Sequence, residues 1–351
     1  MARTEHPEIK DKINELKKVL CQAYGINTSE NIYTTLAVSI QKSNIQGNSG
    51  QFDLEKKQVI IPKIYDSRTY EDPRLDPVNG LHEYTKEKLE RYILDAYIHG
   101  SLSSMDHTGY SDLDTLFILK PDILKDPGKI KKLEQLFIRS TRYLYRFDPL
   151  QHHGHFFLLE SDLNCYNQSF LPLPAIQAST SLLGRGTRLE FQIRSCEKES
   201  EQRFLDSMRI MRRYVTQERN RLEQPYYLKG FLSHFMILPA LFLQLNNEYL
   251  SKKESFVIMK ERMPSDIWQC MDQVSSIRRD WQQKITPSTQ KAIRLIGLWN
   301  PLLLPYFVKR FYKIQPITTG AIDAKLLDEM LTFCEYLYKM SGLDDKQPAI
   351  H

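Results

Sequence analysis

Apolar residues follow a mixed pattern in the first part of the chain. Short apolar runs that predict strands alternate there with segments in which apolar residues recur every three to four positions, which predicts helices. The predicted strands are 33–40, 57–64, 95–101, 113–119, 155–160 and 188–193, and the predicted helices are 8–23, 84–92 and 127–144. Residues 65–84 contain Pro73, Pro77 and Gly80, so we expect an irregular connector there.

The pattern changes after about residue 195, where one helical segment follows another. The predicted helices are 198–222, 226–249, 253–262, 265–284, 288–298 and 321–341. We therefore predict an α+β protein, with a small mixed-sheet domain over 85–197 followed by an all-helical domain over 198–351. Residues 1–84 form an N-terminal extension with a helix and strands, which we expect to pack on the core.

Composition limits the function classes. The chain has 351 residues, of which 41% are hydrophobic and 26% are charged, as in ordinary globular proteins. The net charge of +5 argues against a dedicated binder of long nucleic acids and fits an anionic substrate such as a nucleotide.

Targeting signals and cysteines point to the cytoplasm. The N-terminus is charged and lacks the apolar core of a signal peptide. The longest apolar runs, 231–245 and 295–308, are shorter than the roughly 20 residues that span a bilayer. The five cysteines are scattered without a CxxC pair, so no disulfide framework is indicated. We predict a cytoplasmic protein that does not contact a membrane.

The segment 97–120 carries the candidate chemistry. It places Gly100-Ser101 after an apolar run, and Asp112-x-Asp114 after a spacer of ten residues. On an extended strand, residues two positions apart point to the same side, so both carboxylates can hold one divalent cation. Glycine permits close approach of a phosphate, and serine adds a hydroxyl donor. These parts suit metal-dependent phosphoryl or nucleotidyl transfer.

This segment resembles the signature of the DNA polymerase β-like nucleotidyltransferase superfamily. The form Tyr110-Ser111-Asp112, ten residues after Gly100-Ser101, is similar to small-substrate members such as kanamycin nucleotidyltransferase. The resemblance implies that Gly100, Ser101 and Ser111 contact the nucleotide and that Asp112 and Asp114 are catalytic. It also implies that these two aspartates bind one or two Mg²⁺ ions, for which Mn²⁺ can substitute.

The superfamily has a third carboxylate on a later strand. Glu160, at the end of the run HFFLLE, is the first choice for this catalytic position. Asp148 and Asp162 are alternatives, and His155 would replace the carboxylate with an imidazole if it faced the site.

Three other groups of residues have open interpretations. The histidines of 151–155 could bind zinc, but they lack His-x3-His spacing and a cysteine partner, so a strand entry beside the active site or a surface loop is favoured. Members of the superfamily often contact the triphosphate with a lysine of the second domain, and the resemblance therefore points to Lys253 or Lys252. The charged composition of this segment alone favours the solvated start of a helix. Arg278, Arg279 and Trp281 could flank a cleft or lie on an exposed helix.

The resemblance implies transfer of a nucleoside monophosphate from an NTP, with ATP as the expected donor, to a hydroxyl group, with release of pyrophosphate. A small molecule is the favoured acceptor. A protein or tRNA, as in toxin- or antitoxin-type enzymes, and another nucleotide remain alternatives. A catalytically inactive nucleotide-binding module is the competing class, because fold does not fix function.

Overall fold

The computed structural model describes residues 54–281, 286–311 and 322–343. The predicted helix over 8–23 and the predicted strand over 33–40 lie outside them. The strands are β1 (Glu55–Ile60), β2 (Lys63–Ile64), β3 (Ile93–Ile98), β4 (Thr115–Leu119), β5 (Phe156–Leu159), β6 (Thr180–Ser181) and β7 (Arg188–Ile193). The helices are α1 (Asp76–Tyr84), α2 (Pro127–Phe147), α3 (Leu173–Gln177), α4 (Glu197–Thr216), α5 (Pro225–Leu245), α6 (Lys252–Arg262), α7 (Ser265–Arg279), α8 (Pro287–Trp299), α9 (Leu304–Phe311) and α10 (Ala324–Met340). The protein is therefore α+β, as the sequence predicts.

A five-stranded mixed sheet lies in the first part of the chain, in the order β2-β6-β3-β4-β5. β3 is antiparallel to β4, whereas β4 and β5 are parallel, with Leu116 opposite Phe156 and Leu119 opposite Leu159. The end of β3 and the segments that lead into β4 and β5 consequently meet at one edge of the sheet.

Both faces of this sheet are buried. Phe117 and Phe157 point into a core with α1 and α2, whereas Leu116 and Leu158 point into a second core with residues of α3, β1 and β7. A strand that is buried on both faces needs apolar residues at successive positions. This requirement explains the continuous apolar runs of β4 and β5.

Residues 54–84 are paired with the sheet region. β1 forms an antiparallel ribbon with β7, from Glu55 opposite Ile193 to Ile60 opposite Arg188, and β2 pairs with β6. This part of the predicted extension therefore contributes strands that hydrogen-bond to strands of 85–197.

The prediction of an irregular connector over 65–84 is wrong for its second half, which contains α1. Pro77 occupies the first turn of this helix, where a missing N–H has no cost, so the proline begins the helix and does not break it. Gly80 allows α1 to lie against α2, since a Cβ at this position would stand 2.6 Å from the Cε1 atom of Tyr143.

From Glu197 onward, every regular element of the described residues is a helix. The core of this helical part is centred on α5, whose Phe231, Leu232 and Phe235 are fully buried. α5 is long and apolar enough to cross a membrane by length and composition, and 72% of its most apolar window is buried inside the protein. Packing in this core accounts for the apolar sequence of the helix.

Glu134 on α2 predicts a pH-dependent stability. The residue is 3% exposed and its Oε1 atom has no hydrogen-bond partner among the described residues. Burial raises the pKa of Glu134 to about 7, and the charge of Lys131 offsets only part of that effect. A carboxyl pKa that is higher in the folded state favours folding at low pH, and this contribution is lost as the pH rises from about 4.5 through 7.

We therefore expect Glu134→Gln to raise the free energy of unfolding by about 1–3 kcal/mol at pH 8 and by little at pH 4.5. Urea denaturation at the two pH values measures the difference. Glu190→Gln on the exposed side of β7 is the matched control and should show no such pH dependence. Equal effects of Glu134→Gln at both pH values would contradict this account.

Candidate functional site

The turn after β3 lies directly against Asp114. Gly100 has a φ of +69°, in the left-handed region that glycine adopts at little cost. The backbone N–H of His99 donates to the carbonyl of Asp114 at 3.0 Å. A Cβ atom at Gly100 would stand 2.7 Å from Oδ2 of Asp114. Glycine at this position thus permits the Gly100–Ser101 turn to approach the carboxylate.

The two serines predicted to bind nucleotide lie together. The hydroxyl of Ser101 donates to Oγ of Ser111 at 2.9 Å, and the same Oγ accepts from the backbone N–H of Thr108 at 2.9 Å. Ser111 is buried, whereas Ser101 is half-buried. These bonds close the loop of 101–111 and keep both serines next to the aspartates.

Two histidines that lead into β5 contact the aspartate pair. Nε2 of His153 lies 2.8 Å from Oδ1 of Asp114 and 3.8 Å from Oδ2 of Asp112. Nδ1 of His152 lies 3.4 Å from Oδ2 of Asp112. The parallel pairing of β4 with β5 explains these contacts, because Asp112 and His152 precede the paired residues Leu116 and Phe156 by the same number of positions.

The contacts change the protonation of these groups. Burial alone would lower the pKa of His153, but its hydrogen bond with Asp114 and the charges of both aspartates raise the pKa to about 9. Burial would raise the pKa of Asp114, and the bond with His153 outweighs it and holds this pKa below its usual value. Burial and the charge of His153 lower the pKa of His152 well below its usual value. His153 is thus cationic at neutral pH and His152 is neutral.

A fully buried lysine of the helical part binds the same site. Nζ of Lys229 on α5 donates to Oδ1 of Asp112 at 2.6 Å and also to Oδ2 of Asp148. Burial opposes the charged form of Lys229, but the two carboxylates outweigh it and raise the pKa of the ammonium group. Lys229 is therefore a cation shared by two carboxylates of the first part of the chain.

Tyr110 joins the two parts of the chain. Its ring is buried in the core of the helical part, edge-on to Trp281 with centroids 5.2 Å apart. Its hydroxyl donates to the carbonyl of Lys229 at 2.6 Å, and the guanidinium carbon of Arg278 lies 5.7 Å from the ring centroid. The loop that precedes Asp112 is thereby anchored in the helical core.

Lys252 and Arg278 of the helical part interact electrostatically near the site. Lys252 is the first residue of α6, whose N-cap Ser251 forms a capping box with Glu254. Burial and the charge of Arg278 lower the pKa of Lys252 to about 7, although Asp114 and Asp112 act in the opposite direction. The Nε atom of Arg278 is buried and has no hydrogen-bond partner among the described residues.

Of the two candidate lysines, Lys252 is the one whose charge interacts with the aspartates. Lys253, the predicted nucleotide-binding residue, is exposed. Arg279 is also exposed, whereas Trp281 is buried.

The structure does not bring Glu160 to the aspartates. Glu160 follows Leu159, which pairs with Leu119 at the far end of β4, whereas Asp114 precedes the first residue of β4. At about 3.3 Å per strand residue, Glu160 and Asp114 are separated by the length of the sheet. Glu160 is also exposed, so this choice for the third catalytic position is corrected.

The alternatives to Glu160 have different places. Asp162 accepts from the backbone N–H of Leu159 at 2.7 Å, at the same far end of β5. His155 is buried between Thr115 and Ser140, with ring-nitrogen distances of 2.6 and 2.8 Å to their hydroxyls. Among these alternatives, Asp148 is the residue linked to the pair, through Lys229.

Only weak sequence signals point to the residues that complete the site. A lysine within the apolar helix α5 indicates a buried charge that needs a partner, because lysine is seldom fully buried alone. The composition of the cluster at 151–155 marks its histidines as candidates, but no local pattern distinguishes His153 from the others. Its contact with Asp114 depends on the pairing of β4 with β5.

Neither a scan of protein-family profiles nor a search of curated proteins gives a match to this chain. The superfamily resemblance therefore rests on the signature residues alone.

Proposed function

We propose that the protein is a metal-dependent nucleotidyltransferase. The observation that carries the proposal is that Gly100–Ser101, Asp112 and Asp114 converge at one edge of the sheet, and that the charge of Lys252 of the helical part interacts with both aspartates and with Arg278. Carboxylates for a metal ion and cations for a polyphosphate are the parts that nucleotidyl transfer needs. The favoured acceptor is a hydroxyl group of a small molecule.

The aspartates fit a role in Mg²⁺ binding together with substrate phosphates. Mg²⁺ prefers oxygen ligands and is usually bound by one or two carboxylates plus phosphate and water oxygens. Asp114 directs Oδ2 toward the Gly100 turn, and Asp112 presents Oδ2 on the side away from Lys229. The ion would neutralise negative charge on the phosphates of the bound nucleotide.

The reaction balances as a displacement at the α-phosphorus. The acceptor oxygen forms a bond to the α-phosphorus, and the bond from this phosphorus to the bridging oxygen breaks. The electron pair of that bond leaves with pyrophosphate, and the proton of the acceptor hydroxyl passes to solvent. Ser101 and the Gly100 turn orient the phosphates, while Lys252 and Arg278 offset their charge.

The direct test offers the full-length protein each α-³²P-labelled NTP with Mg²⁺ and a cell extract separated into small molecules, RNA and protein. We expect label in the small-molecule fraction and release of pyrophosphate. Label in protein or RNA would keep the reaction and change the acceptor. Absence of label in every fraction with every NTP would overturn nucleotidyl transfer.

One observation favours the competing class, a nucleotide-binding module without transferase activity. An imidazole, His153, contacts Asp114, whereas Glu160, the expected third carboxylate, lies at the far end of β5. The same preparation separates the two classes, because the inactive module binds NTP at equilibrium without releasing pyrophosphate.

Lys252 gives a prediction for nucleotide binding. We expect Lys252→Met to weaken the binding of ATP–Mg²⁺ by about 10- to 100-fold, because a hydrogen bond to a charged group contributes about 1.5–3 kcal/mol. Isothermal titration calorimetry measures the Kd. The matched control is Lys253→Met, which removes an exposed lysine at the next position. Equal affinities of the two variants would contradict the assignment of Lys252.

A further inference from the structure

Three potential metal ligands meet at the start of β5. One donor atom each from Asp112, His152 and His153 lies within 4.8 Å of the other two. Oδ2 of Asp112 is 3.4 Å from Nδ1 of His152 and 3.8 Å from Nε2 of His153. Ligand atoms on one tetrahedral ion with bonds of about 2.0 Å are about 3.3 Å apart. The three side chains thus need only small movements to share an ion.

The neighbours of these side chains orient the required atoms toward one another. Nδ1 of His153 lies 3.0 Å from the carbonyl oxygen of Gly154 and 3.3 Å from the amide nitrogen of Gln151, and Nε2 faces Asp112 and Asp114. A metal ion that binds Nε2 would displace the proton from this nitrogen. Lys229 occupies Oδ1 of Asp112 and leaves Oδ2 toward the histidines. Such outer contacts orient metal ligands and are typical of metal sites in proteins.

His152 supplies an independent observation. Its Nδ1 atom is buried and has no hydrogen-bond partner among the described residues. A buried polar atom normally has a partner, so an unpaired one calls for an explanation. The atom faces Asp112, and a metal ion between the two would satisfy both.

The ligand set selects the class of metal. Imidazole nitrogen suits zinc, copper, iron and nickel ions, whereas Mg²⁺ favours oxygen ligands. Two imidazoles and one carboxylate also leave coordination positions open, as in catalytic zinc sites. The sequence argued against zinc because the histidines have no cysteine partner and no helical spacing. The structure supplies the missing partner as Asp112, from a segment far away in the chain.

We propose that Asp112, His152 and His153 bind a first-row transition-metal ion as a resident metal of the site. This ion is distinct from the Mg²⁺ that accompanies the nucleotide, and the two ions would share Asp112 as a ligand. A role of this ion in nucleotidyl transfer rests on the proposed function. The binding of the ion does not, because it needs no nucleotide.

The test is metal binding by the full-length protein after removal of metals with a chelator. We expect Co²⁺ to bind in a single equivalent with visible d–d absorption, Zn²⁺ to displace it, and millimolar Mg²⁺ to leave it bound. His152→Gln and His153→Gln should each weaken Co²⁺ binding by at least about 100-fold, since changes to outer-shell partners alone cost about 10- to 100-fold. His82→Gln on α1, which removes an imidazole outside the cluster, is the control and should bind as the unaltered chain does.

X-ray absorption of the Zn²⁺-loaded unaltered protein gives a readout that does not depend on whether a variant folds. We expect two imidazole ligands. The proposal is overturned by the absence of stoichiometric Co²⁺ binding, by Co²⁺ binding as tight in the two histidine variants as in the unaltered protein, by displacement of Co²⁺ by Mg²⁺, or by a spectrum without imidazole. Co²⁺ binding without any NTP binding or transfer would overturn the proposed function alone. NTP transfer without Co²⁺ binding would overturn this inference alone.

Discussion

Asp114→Asn is expected to lower the rate of nucleotidyl transfer by about 10³-fold or more while the fold is retained. Loss of one group that stabilises charge in the transition state costs about 10²–10³-fold, and this substitution also removes a carboxylate ligand of the metal ion. Asparagine keeps the shape of the side chain beside Gly100 and its oxygen near His153. What it removes is the negative charge that would hold Mg²⁺ against the phosphates. The rate of pyrophosphate release with saturating NTP measures the effect.

Asp106→Asn is the matched control for this change. It alters the same type of residue in the same loop, where Asp106 is exposed and accepts a hydrogen bond from Ser104. We expect this variant to retain the unaltered rate. Asp112→Asn should lower the rate as Asp114→Asn does, with an additional loss of stability because it weakens the bond from Lys229. Transfer at the unaltered rate by both aspartate variants with Mg²⁺ would refute the mechanism.

The sequence predicted the local parts of the site. Gly100–Ser101 and the two aspartates lie within one segment, and their meeting requires only that β3 and β4 are neighbours. β3 and β4 are paired in the sheet, so this requirement is met. The period of apolar residues also located β7 and most helices of the second part, because each of those elements buries residues at its own regular spacing.

The third catalytic position, for which Glu160 is the first choice from the sequence, shows why the remaining contacts of the site could not be predicted. The sequence pattern of a strand shows which residues share a face of that strand. It does not show in which direction the strand runs within the sheet. If β5 were antiparallel to β4, its end at Glu160 would lie near Asp114. Because the two strands are parallel, the start of β5 lies there instead, and that start is the histidine cluster. His153 rather than Glu160 therefore contacts Asp114.

The role of α6 depends in the same way on tertiary contacts. Lys252 and Lys253 are adjacent and chemically identical, and no local pattern separates them. The capping box fixes where α6 begins, and the packing of α6 on the helical core then decides which lysine turns inward. Arg278 reaches the site only because α7 packs beside the loop of Tyr110.

Lys229 shows how strongly the two parts of the chain are coupled. It is fully buried on the central helix of the helical part, yet both of its carboxylate partners belong to the sheet region. A buried ion pair adds little compared with apolar residues of the same volume, but removal of one partner leaves buried charge behind. The position of Asp112 and the stability of the contact between the two parts thus depend on the same ammonium group.

We therefore expect Lys229→Met to lower the free energy of unfolding by about 3–5 kcal/mol, the usual cost of removing one partner from a buried ion pair. Methionine fills a similar volume, so the loss comes from Asp112 and Asp148, which no longer have the shared cation. Urea denaturation at pH 7 measures the change. The matched control, Lys260→Met, removes an exposed lysine paired with Asp272 and should cost less than about 1 kcal/mol.

A second substitution separates charge from packing. In Lys229→Met/Asp148→Asn, one of the two buried charges is also gone, while the asparagine oxygen can still accept from the backbone N–H of Leu150. The double variant should therefore recover part of the stability that Lys229→Met loses. If Lys229→Met costs no more than Lys260→Met, the ion pair does not hold the two parts together. If the double variant is less stable than Lys229→Met, the loss comes from packing around the methionine and not from unbalanced charge.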